Sequence, residues 1–213
     1  MSDRVWRLNC VTTEADGGPV TDASSHAPLR VAVIIGTTRE NRMGEAIGRW
    51  FVTEAEKRDD IGVDLIDLVD FELPNRYPEL PTDAMTAFAS RVGNADAFVI
   101  VTPEYNYSFT GSLKQAIDCA YDEWHAKPVG FVSYGCRSTG RHAVEQLRTV
   151  FTYLHATTMR DVVSFDLLTT TFTGDGGLRG DDGQAGTAEV MLNQLAWWGL
   201  ALRKARAARP YVS

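Results

Sequence analysis

Short apolar runs alternate with amphipathic segments along this chain, and that alternation limits the folds available to it. Five runs have the length and continuous apolar character of strands that are covered on both faces. The segments between them place apolar residues at helical spacing, most clearly at Ala143, Leu147, Val150, Phe151 and Leu154. Five such strand–helix repeats predict an α/β fold, a three-layer sandwich around a five-stranded parallel sheet.

The apolar pattern also gives the domain organisation. We place the strands at residues 29–35, 63–68, 97–101, 128–134 and 161–168, and we assign residues 174–186 to a loop rich in Gly and Asp. Residues 1–28 are polar and lack sustained periodicity. We therefore predict an N-terminal extension at 1–28, followed by one domain at 29–209.

Charge and cysteine content narrow the possible partners and the cellular location. A net charge of −7 argues against a nucleic-acid partner or an anionic membrane surface. The three cysteines are widely spaced and fit neither a disulfide framework nor a metal site, so a reducing cytoplasm is the expected location. Without a run of about 20 apolar residues, the sequence also predicts no membrane span.

The turn after the first strand concentrates hydrogen-bond donors. Residues 36–44 read Gly-Thr-Thr-Arg-Glu-Asn-Arg-Met-Gly and lead into a helical segment. They match neither the G-x-G-x-x-G dinucleotide fingerprint nor the G-x-x-x-x-G-K-[ST] P-loop. The side chains of Thr37, Arg39 and Arg42, together with the start of a helix, favour a directly bound phosphate. The alternative is a solvated polar turn whose arginines are incidental.

A second unusual turn follows the third strand, at Thr102-Pro103-Glu104-Tyr105-Asn106-Tyr107-Ser108. Open α/β sheets bind ligands at the carboxyl ends of their strands, where the strand order reverses. A site formed after the first and third strands indicates the flavodoxin-like order 2-1-3-4-5, whose switch point lies between those two strands. Together the two turns suggest a pocket for flavin mononucleotide (FMN), with phosphate at the first turn and the ring at the second.

Three segments resemble the signature of the NADPH-dependent FMN reductase family, which is flavodoxin-like and includes quinone, chromate and azo-dye reductases. The first is Gly36-Thr37-x-Arg39. The second is Pro103-Glu104-Tyr105-Asn106 with Ser108 and Gly111-x-Leu113-Lys114-x-Ala116-Ile117-Asp118. The third is Ser133-Tyr134-Gly135 with Gly140 and Ala143-Val144-Glu145-Gln146-Leu147-Arg148. The resemblance extends over about residues 29–206.

The resemblance implies a role for each segment. Thr37, Arg39 and Arg42 would hold the FMN phosphate. One edge of the isoalloxazine ring would be lined by Pro103, Glu104, Tyr105 and Asn106. The pyrimidine side of the ring would be approached by Ser133, Tyr134 and Gly135. The sequence departs from the family at Thr110, where proline is frequent, at Gln115, where asparagine is usual, and at Cys136 and Thr139, where glycine is common.

By the same resemblance, the chain would be an NAD(P)H-dependent FMN reductase or quinone reductase. NADPH or NADH would reduce FMN, which would then reduce a small oxidised acceptor in a ping-pong reaction. Because the flavin carries the chemistry, no catalytic side chain is assigned. A homodimer or homotetramer is expected. Two alternatives stay open: a flavodoxin-type electron carrier without its own nicotinamide reaction, and a flavin reductase that supplies reduced FMN to a separate monooxygenase.

Overall fold

A computed structural model describes residues 27–173, 178–179 and 183–212. Its main sheet contains five parallel strands in the order β2-β1-β3-β4-β5. The strands are β1 (Leu29–Ile35), β2 (Ile61–Asp67), β3 (Ala97–Pro103), β4 (Pro128–Gly135) and β5 (Thr157–Asp166). The helices are α1 (Gly44–Ala55), α2 (Asp83–Asn94), α3 (Gly111–Ile117), α4 (Arg141–Tyr153) and α5 (Gln184–Ala208). The predicted flavodoxin-like sandwich and its strand order are therefore confirmed.

Helices cover both faces of the sheet and form two apolar cores. Val31 and Val33 of β1 pack in the core that α1 and α5 cover. The intervening Ala32 and Ile34 pack in the core that α2, α3 and α4 cover. Because side chains alternate across a strand, a register shift of one residue would exchange these two sets. Double coverage explains why the central strands read as continuous apolar runs.

Two strands begin earlier than the apolar pattern predicts. β5 starts at Thr157 rather than at residue 161, and β2 starts at Ile61 rather than at residue 63. Both are the outer strands of the sheet. The ends of such strands can form their backbone hydrogen bonds even where apolar side chains do not line both faces. The pairing of β4 with β5 is also irregular between Val129 and Phe131. The missed residues are Ile61-Gly62 of β2, where glycine interrupts the apolar run, and residues 157–160 of β5, which include two threonines and an arginine.

Some sequence predictions fall partly outside the described residues. The extension at 1–28 is described only at residues 27 and 28, and its boundary with the domain at 29–209 stays a prediction. In the segment assigned to a loop at 174–186, α5 already begins at Gln184. A short strand, β7 (Leu178–Arg179), also lies within that segment and pairs antiparallel with β6 (Thr171–Phe172), so the segment is not entirely a loop. None of the described helices is both long and apolar enough to cross a bilayer.

The sheet brings three loops to one edge of the molecule. Beyond the end of β1, the Gly36 N–H donates to the Val101 carbonyl at 2.8 Å. Beyond the end of β3, the Glu104 N–H donates to the Tyr134 carbonyl at 3.1 Å. These bonds hold the loops that follow β1, β3 and β4 beside one another, at the switch point of the sheet.

Candidate functional site

The loop after β1, residues 36–43, is called the phosphate turn here because its unpaired donors fit an anion. Thr37 is buried, and its Oγ1 has no hydrogen-bond partner of normal geometry. Met43, the N-cap of α1, provides no side-chain cap for the first helical N–H groups. Free N–H groups at a helix start attract anions, and a buried hydroxyl without a partner needs one. A phosphate group would satisfy both.

Gly44 allows the phosphate turn to pack closely against β4. A Cβ atom at this position would lie 2.6 Å from Thr37 Cγ2 and 2.7 Å from the Tyr134 hydroxyl. The Tyr134 side chain therefore extends from β4 to the start of α1. Burial raises the pKa of Tyr134 above its ordinary value, so the phenol stays neutral and can donate a hydrogen bond. This contact was not anticipated when Tyr134 was assigned to the pyrimidine side.

The two arginines of the phosphate turn have different surroundings. Arg42 Nη2 is paired with the Asp67 carboxylate at the end of β2 and lies 3.9 Å from Glu45. Only 14% of the Arg42 side chain is exposed. Arg39, in contrast, is exposed on the turn. The structure thus leaves Arg39 accessible to a ligand while Arg42 already neutralises a carboxylate, and both phosphate assignments stay predictions.

The loop after β3, residues 104–110, is called the ring turn here and forms a tight hairpin. The Tyr105 N–H donates to the Ser108 carbonyl at 2.8 Å, and the Ser108 N–H donates to the Tyr105 carbonyl at 3.0 Å. The two central residues, Asn106 (φ 49°) and Tyr107 (φ 72°), both have left-handed backbones. Positive φ at both central positions is typical of a type I′ turn. The turn presents Tyr105 and Tyr107 to solvent.

Thr110, which replaces the proline frequent in the family, joins the two turns. Its hydroxyl donates to the Gly36 carbonyl of the phosphate turn. The same oxygen accepts the Leu113 N–H at 3.2 Å and so caps α3. A proline could make neither contact. The replacement therefore adds a direct connection between the proposed phosphate and ring subsites.

Glu104 connects the ring turn to α4. Its carboxylate accepts the His142 backbone N–H at 3.0 Å and lies 3.0 Å from His142 Nδ1. Burial alone would raise the pKa of Glu104, but hydrogen bonds from His142 and Ser138 outweigh it, and the pKa lies below its usual value. Glu104 is therefore ionised at neutral pH and already satisfied by protein donors, so its predicted contact with the ring is untested.

The loop after β4, residues 136–140, is the third loop of the site. Ser133 is fully buried, and its hydroxyl donates to the Thr139 carbonyl at 2.8 Å. This hydrogen bond anchors the loop to β4. Thr139 (φ 55°) and Gly140 (φ 87°) both have left-handed backbones. Gly135 lies between this loop and the ring turn, where an added Cβ would be 3.7 Å from Glu104 Cβ. The three predicted segments therefore meet at one edge of the sheet. Several of their polar side chains, however, already form hydrogen bonds with other residues of the site.

A cavity of about 380 Å³ adjoins the phosphate turn. One wall is the segment after β2, and the opposite wall is the start of α3. Gln115, which replaces the usual asparagine, donates to the Pro74 carbonyl and links the two walls. The residues lining the cavity are Thr38, Leu68, Phe71, Leu73, Asn75, Gly111, Ser112 and Gln115. The wall formed by the segment after β2 is not among the site segments predicted from the sequence.

No site role was predicted for His142 or for Gln146, although Gln146 lies in the third family segment; both contact the ring turn from α4. A signal was present: the two residues are four apart, at the start of a helix that follows a site loop. Side chains with that spacing lie on one face of a helix. Their partners, however, come from a turn more than 30 positions earlier, and only the assembled sheet brings the two together.

Comparison with known proteins gives the family of this chain. The family model for NADPH-dependent FMN reductase matches residues 29–169. An NAD(P)H-dependent FMN reductase of Schizosaccharomyces pombe is 34% identical over 134 residues, which are 59% of this chain and 66% of the relative. A quinone reductase of Pseudomonas putida is 30% identical over 54% of this chain and 67% of its own length. The chain thus spans about two thirds of the length of these relatives.

The fold is shared with a solved flavoenzyme. The NAD(P)H:(acceptor) oxidoreductase FerB of Paracoccus denitrificans superposes with a TM-score of 0.65. The superposition covers 80% of this chain and 97% of FerB, with 21% sequence identity. At that level of identity the similarity shows a common fold. The three loops described above are thus carried by a fold that supports flavin chemistry in another protein.

Proposed function

The chain belongs to the NADPH-dependent FMN reductase family, an oxidoreductase family with FMN as its cofactor, and from that premise we propose an NAD(P)H-dependent reductase of a small oxidised acceptor. The observation that carries this proposal is the meeting of a donor-rich phosphate turn and a strained ring turn at the switch point of the sheet. When bound, FMN would accept hydride from the nicotinamide and pass reducing equivalents to the acceptor, which implies ping-pong kinetics.

The protein would contribute binding, orientation and electrostatics to this reaction. The phosphate would be held by Thr37, by Arg39 and by the first N–H groups of α1. Arg42 would lie behind these groups, where it is paired with the Asp67 carboxylate. Pro103, at the end of β3, and residues Glu104 to Asn106 of the ring turn would orient one edge of the flavin ring. Backbone groups at 133–135 would face its pyrimidine side and stabilise negative charge there. No side chain is assigned to proton transfer, because solvent can protonate a reduced acceptor.

Quinones are the acceptor class we favour. The similarity to a quinone reductase of Pseudomonas putida supports that class. Exposed Tyr105 and Tyr107 provide flat apolar surfaces beside the proposed ring position, and aromatic side chains stack well on quinones. Free flavin, azo compounds and metal oxyanions belong to the same proposal as further acceptors. NADPH and NADH are both retained as donors.

A cytoplasmic homodimer or homotetramer completes the proposal. The separated cysteines, with Cys136 exposed and free, suit a reducing compartment. Val190, Trp197 and Leu200 on α5 are all exposed. Clustered apolar side chains at a surface often mark an interface with another protein chain. Sedimentation of the purified protein would measure the assembly size.

Anaerobic reduction of the bound flavin tests the proposed function. The purified protein is loaded with FMN, desalted, and mixed with NADPH or NADH, and the visible flavin band is followed against free FMN at the same concentration. We expect the protein-bound band to bleach much faster than that of free FMN. A bound flavin that stays oxidised would indicate an electron carrier instead. Loss of FMN during desalting, with rapid reduction of added FMN, would indicate a flavin reductase that releases its product.

A further inference from the structure

We propose that His142 and Gln146, on the first two turns of α4, are positioning residues that hold the strained tip of the ring turn for the flavin ring. The inference deepens the proposed function and rests on it where the flavin is concerned. The tip is defined as Asn106 and Tyr107, the two central residues of the hairpin. Gln146 lies within the third family segment, but neither His142 nor Gln146 is among the residues assigned to the cofactor from the sequence.

The tip has a backbone that its own residues do not favour. Type I′ turns need positive φ at both central positions and prefer asparagine followed by glycine. Asn106 (φ 49°) meets the first preference, whereas Tyr107 (φ 72°) stands where glycine is favoured. A bulky residue adopts a left-handed backbone only where neighbouring groups hold it there. The contacts of Tyr107 should therefore show what holds the turn.

Both α4 side chains contact the tip directly. The His142 ring stacks on the Tyr107 ring with centroids 3.5 Å apart and planes 21° apart. Gln146 Nε2 donates to the Tyr107 carbonyl at 2.8 Å, and Gln146 Oε1 accepts the Ser108 hydroxyl at 2.6 Å. The ring of Tyr107, its carbonyl and the next side chain are thus all fixed to one helix face.

The helix that holds the tip is itself anchored by the same loop. Gly140, the N-cap of α4, has no side chain to satisfy the first helical N–H groups. Glu104 takes that role by accepting the His142 N–H, and its second oxygen faces His142 Nδ1. Glu104 therefore holds α4 while His142 and Gln146 hold the tip. The ring turn and the start of α4 therefore support each other through these contacts.

Amide hydrogen exchange in the flavin-free protein tests the positioning role without any enzyme assay. In His142→Ala and Gln146→Ala, the hairpin amides of Tyr105 and Ser108 should exchange at least about tenfold faster than in the wild type, because the tip opens locally. Thr149→Ala, an exposed change farther along α4, is the matched control and should leave these rates unchanged. Equal exchange in all four proteins would overturn the proposal, whether or not the protein binds FMN.

A rescue experiment then separates positioning from direct contact with the flavin. His142→Ala should raise the FMN dissociation constant about tenfold, a loss that corresponds to roughly 1.4 kcal/mol. In a Tyr107→Gly background, where the left-handed backbone is no longer strained, the same change should have less than about a twofold effect. An equal loss in both backgrounds would overturn the positioning role. A wild-type protein that binds no FMN would refute the proposed function and leave the exchange result to decide the inference.

Discussion

The two arginines of the phosphate turn show how neighbouring groups decide what a side chain can do. Arg39 and Arg42 are three residues apart and were assigned the same role from the sequence. Asp67 engages Arg42, while Arg39 stays exposed. Asp67 lies at the end of β2, far along the chain from the phosphate turn. A sequence motif around residue 40 therefore could not include its carboxylate. The structure thus distinguishes an arginine that is already paired with a carboxylate from one that is exposed to solvent.

Replacing each arginine should therefore have a different consequence. Arg39→Ala should weaken FMN binding by about tenfold to a hundredfold, as expected for loss of a charge-assisted hydrogen bond of ~1.5–3 kcal/mol. Its stability should change by less than ~0.5 kcal/mol. Arg42→Ala strands the Asp67 carboxylate and should lower the free energy of unfolding by ~1–3 kcal/mol. FMN titration and urea unfolding measure the two effects.

Arg49→Ala is the control for this pair, since Arg49 is an exposed cation on α1 whose partner, Glu45, is also exposed. Neither FMN affinity nor stability should change appreciably in that variant. An Arg39→Ala protein with the wild-type FMN dissociation constant would show that Arg39 does not bind the phosphate.

Lys127 should make stability depend on pH far from the site. Its ammonium group donates to the Val92 and Gly93 carbonyls at 3.0 Å each, and only 6% of the residue is exposed. Burial, followed by the charge of Arg206, lowers its pKa to about 8. Between that value and the ordinary pKa of 10.5, the unfolded chain binds more protons than the folded protein. Stability from this group therefore rises with pH across that window.

The corresponding prediction compares the wild type with Lys127→Met. The unfolding free energy of the wild type minus that of the variant should increase by about 2 kcal/mol between pH 7.5 and pH 10. Urea denaturation at both pH values measures this difference, and other titrating groups cancel because both proteins carry them. A difference that is independent of pH would show that the pKa of Lys127 is not lowered by folding.

At the scale of elements, the sequence located the strands and helices but not the way their loops are held. β1 and β3 were placed accurately at their starts because buried central strands are uniformly apolar. The start of β2 was missed because Gly62 interrupts its apolar run, and the start of β5 was missed because it opens with two threonines. The ring turn was found from its composition, yet its support by α4 was not, since that support depends on contacts across the sheet.

Gly140 gives an element-level prediction at the start of α4. An added Cβ would lie 2.6 Å from Ser133 Cβ and 2.8 Å from the Tyr134 backbone nitrogen, and the backbone there is left-handed. Gly140→Ala should therefore lower the free energy of unfolding by ~1–3 kcal/mol and disturb the loop after β4. In Gly186→Ala, on the open side of α5, an added Cβ meets nothing within 4 Å. That change should stabilise the protein by ~0.5–1 kcal/mol.

Thermal or urea unfolding of the two glycine variants provides the measurement, and each serves as the control for the other. Equal stability of both proteins would contradict the close packing described at Gly140.

At the scale of the whole molecule, the position of the site follows from topology. β1 lies between β2 and β3, so the chain order reverses beside it and the loops after β1 and β3 diverge to opposite faces. Five strand–helix repeats and two unusual turns were sufficient to predict this arrangement. The partners within the site were not predictable, because Asp67 reaches it from the end of β2 and His142 and Gln146 reach it from α4, two separate parts of the chain.

The extent of the folding unit provides the last prediction. The described core begins at Leu29, and Arg203 of α5 donates to the carbonyls of Pro28 (3.1 Å) and Ala27 (2.9 Å). A protein that starts at residue 27 keeps all of these contacts. Deleting residues 1–26 should therefore change the melting temperature by less than about 3 °C, which corresponds to roughly 1 kcal/mol in a domain of this size. The FMN dissociation constant should also be unchanged.

A longer deletion, of residues 1–36, is the control for this experiment. It removes β1 together with the first residue of the phosphate turn, and β1 pairs with both β2 and β3. Without that strand, the remaining strands cannot form the continuous sheet, so no cooperative unfolding transition is expected. If the shorter deletion also abolished the transition or weakened FMN binding about tenfold, ~1.4 kcal/mol, the extension would be part of the functional domain and the boundary at residue 29 would be wrong.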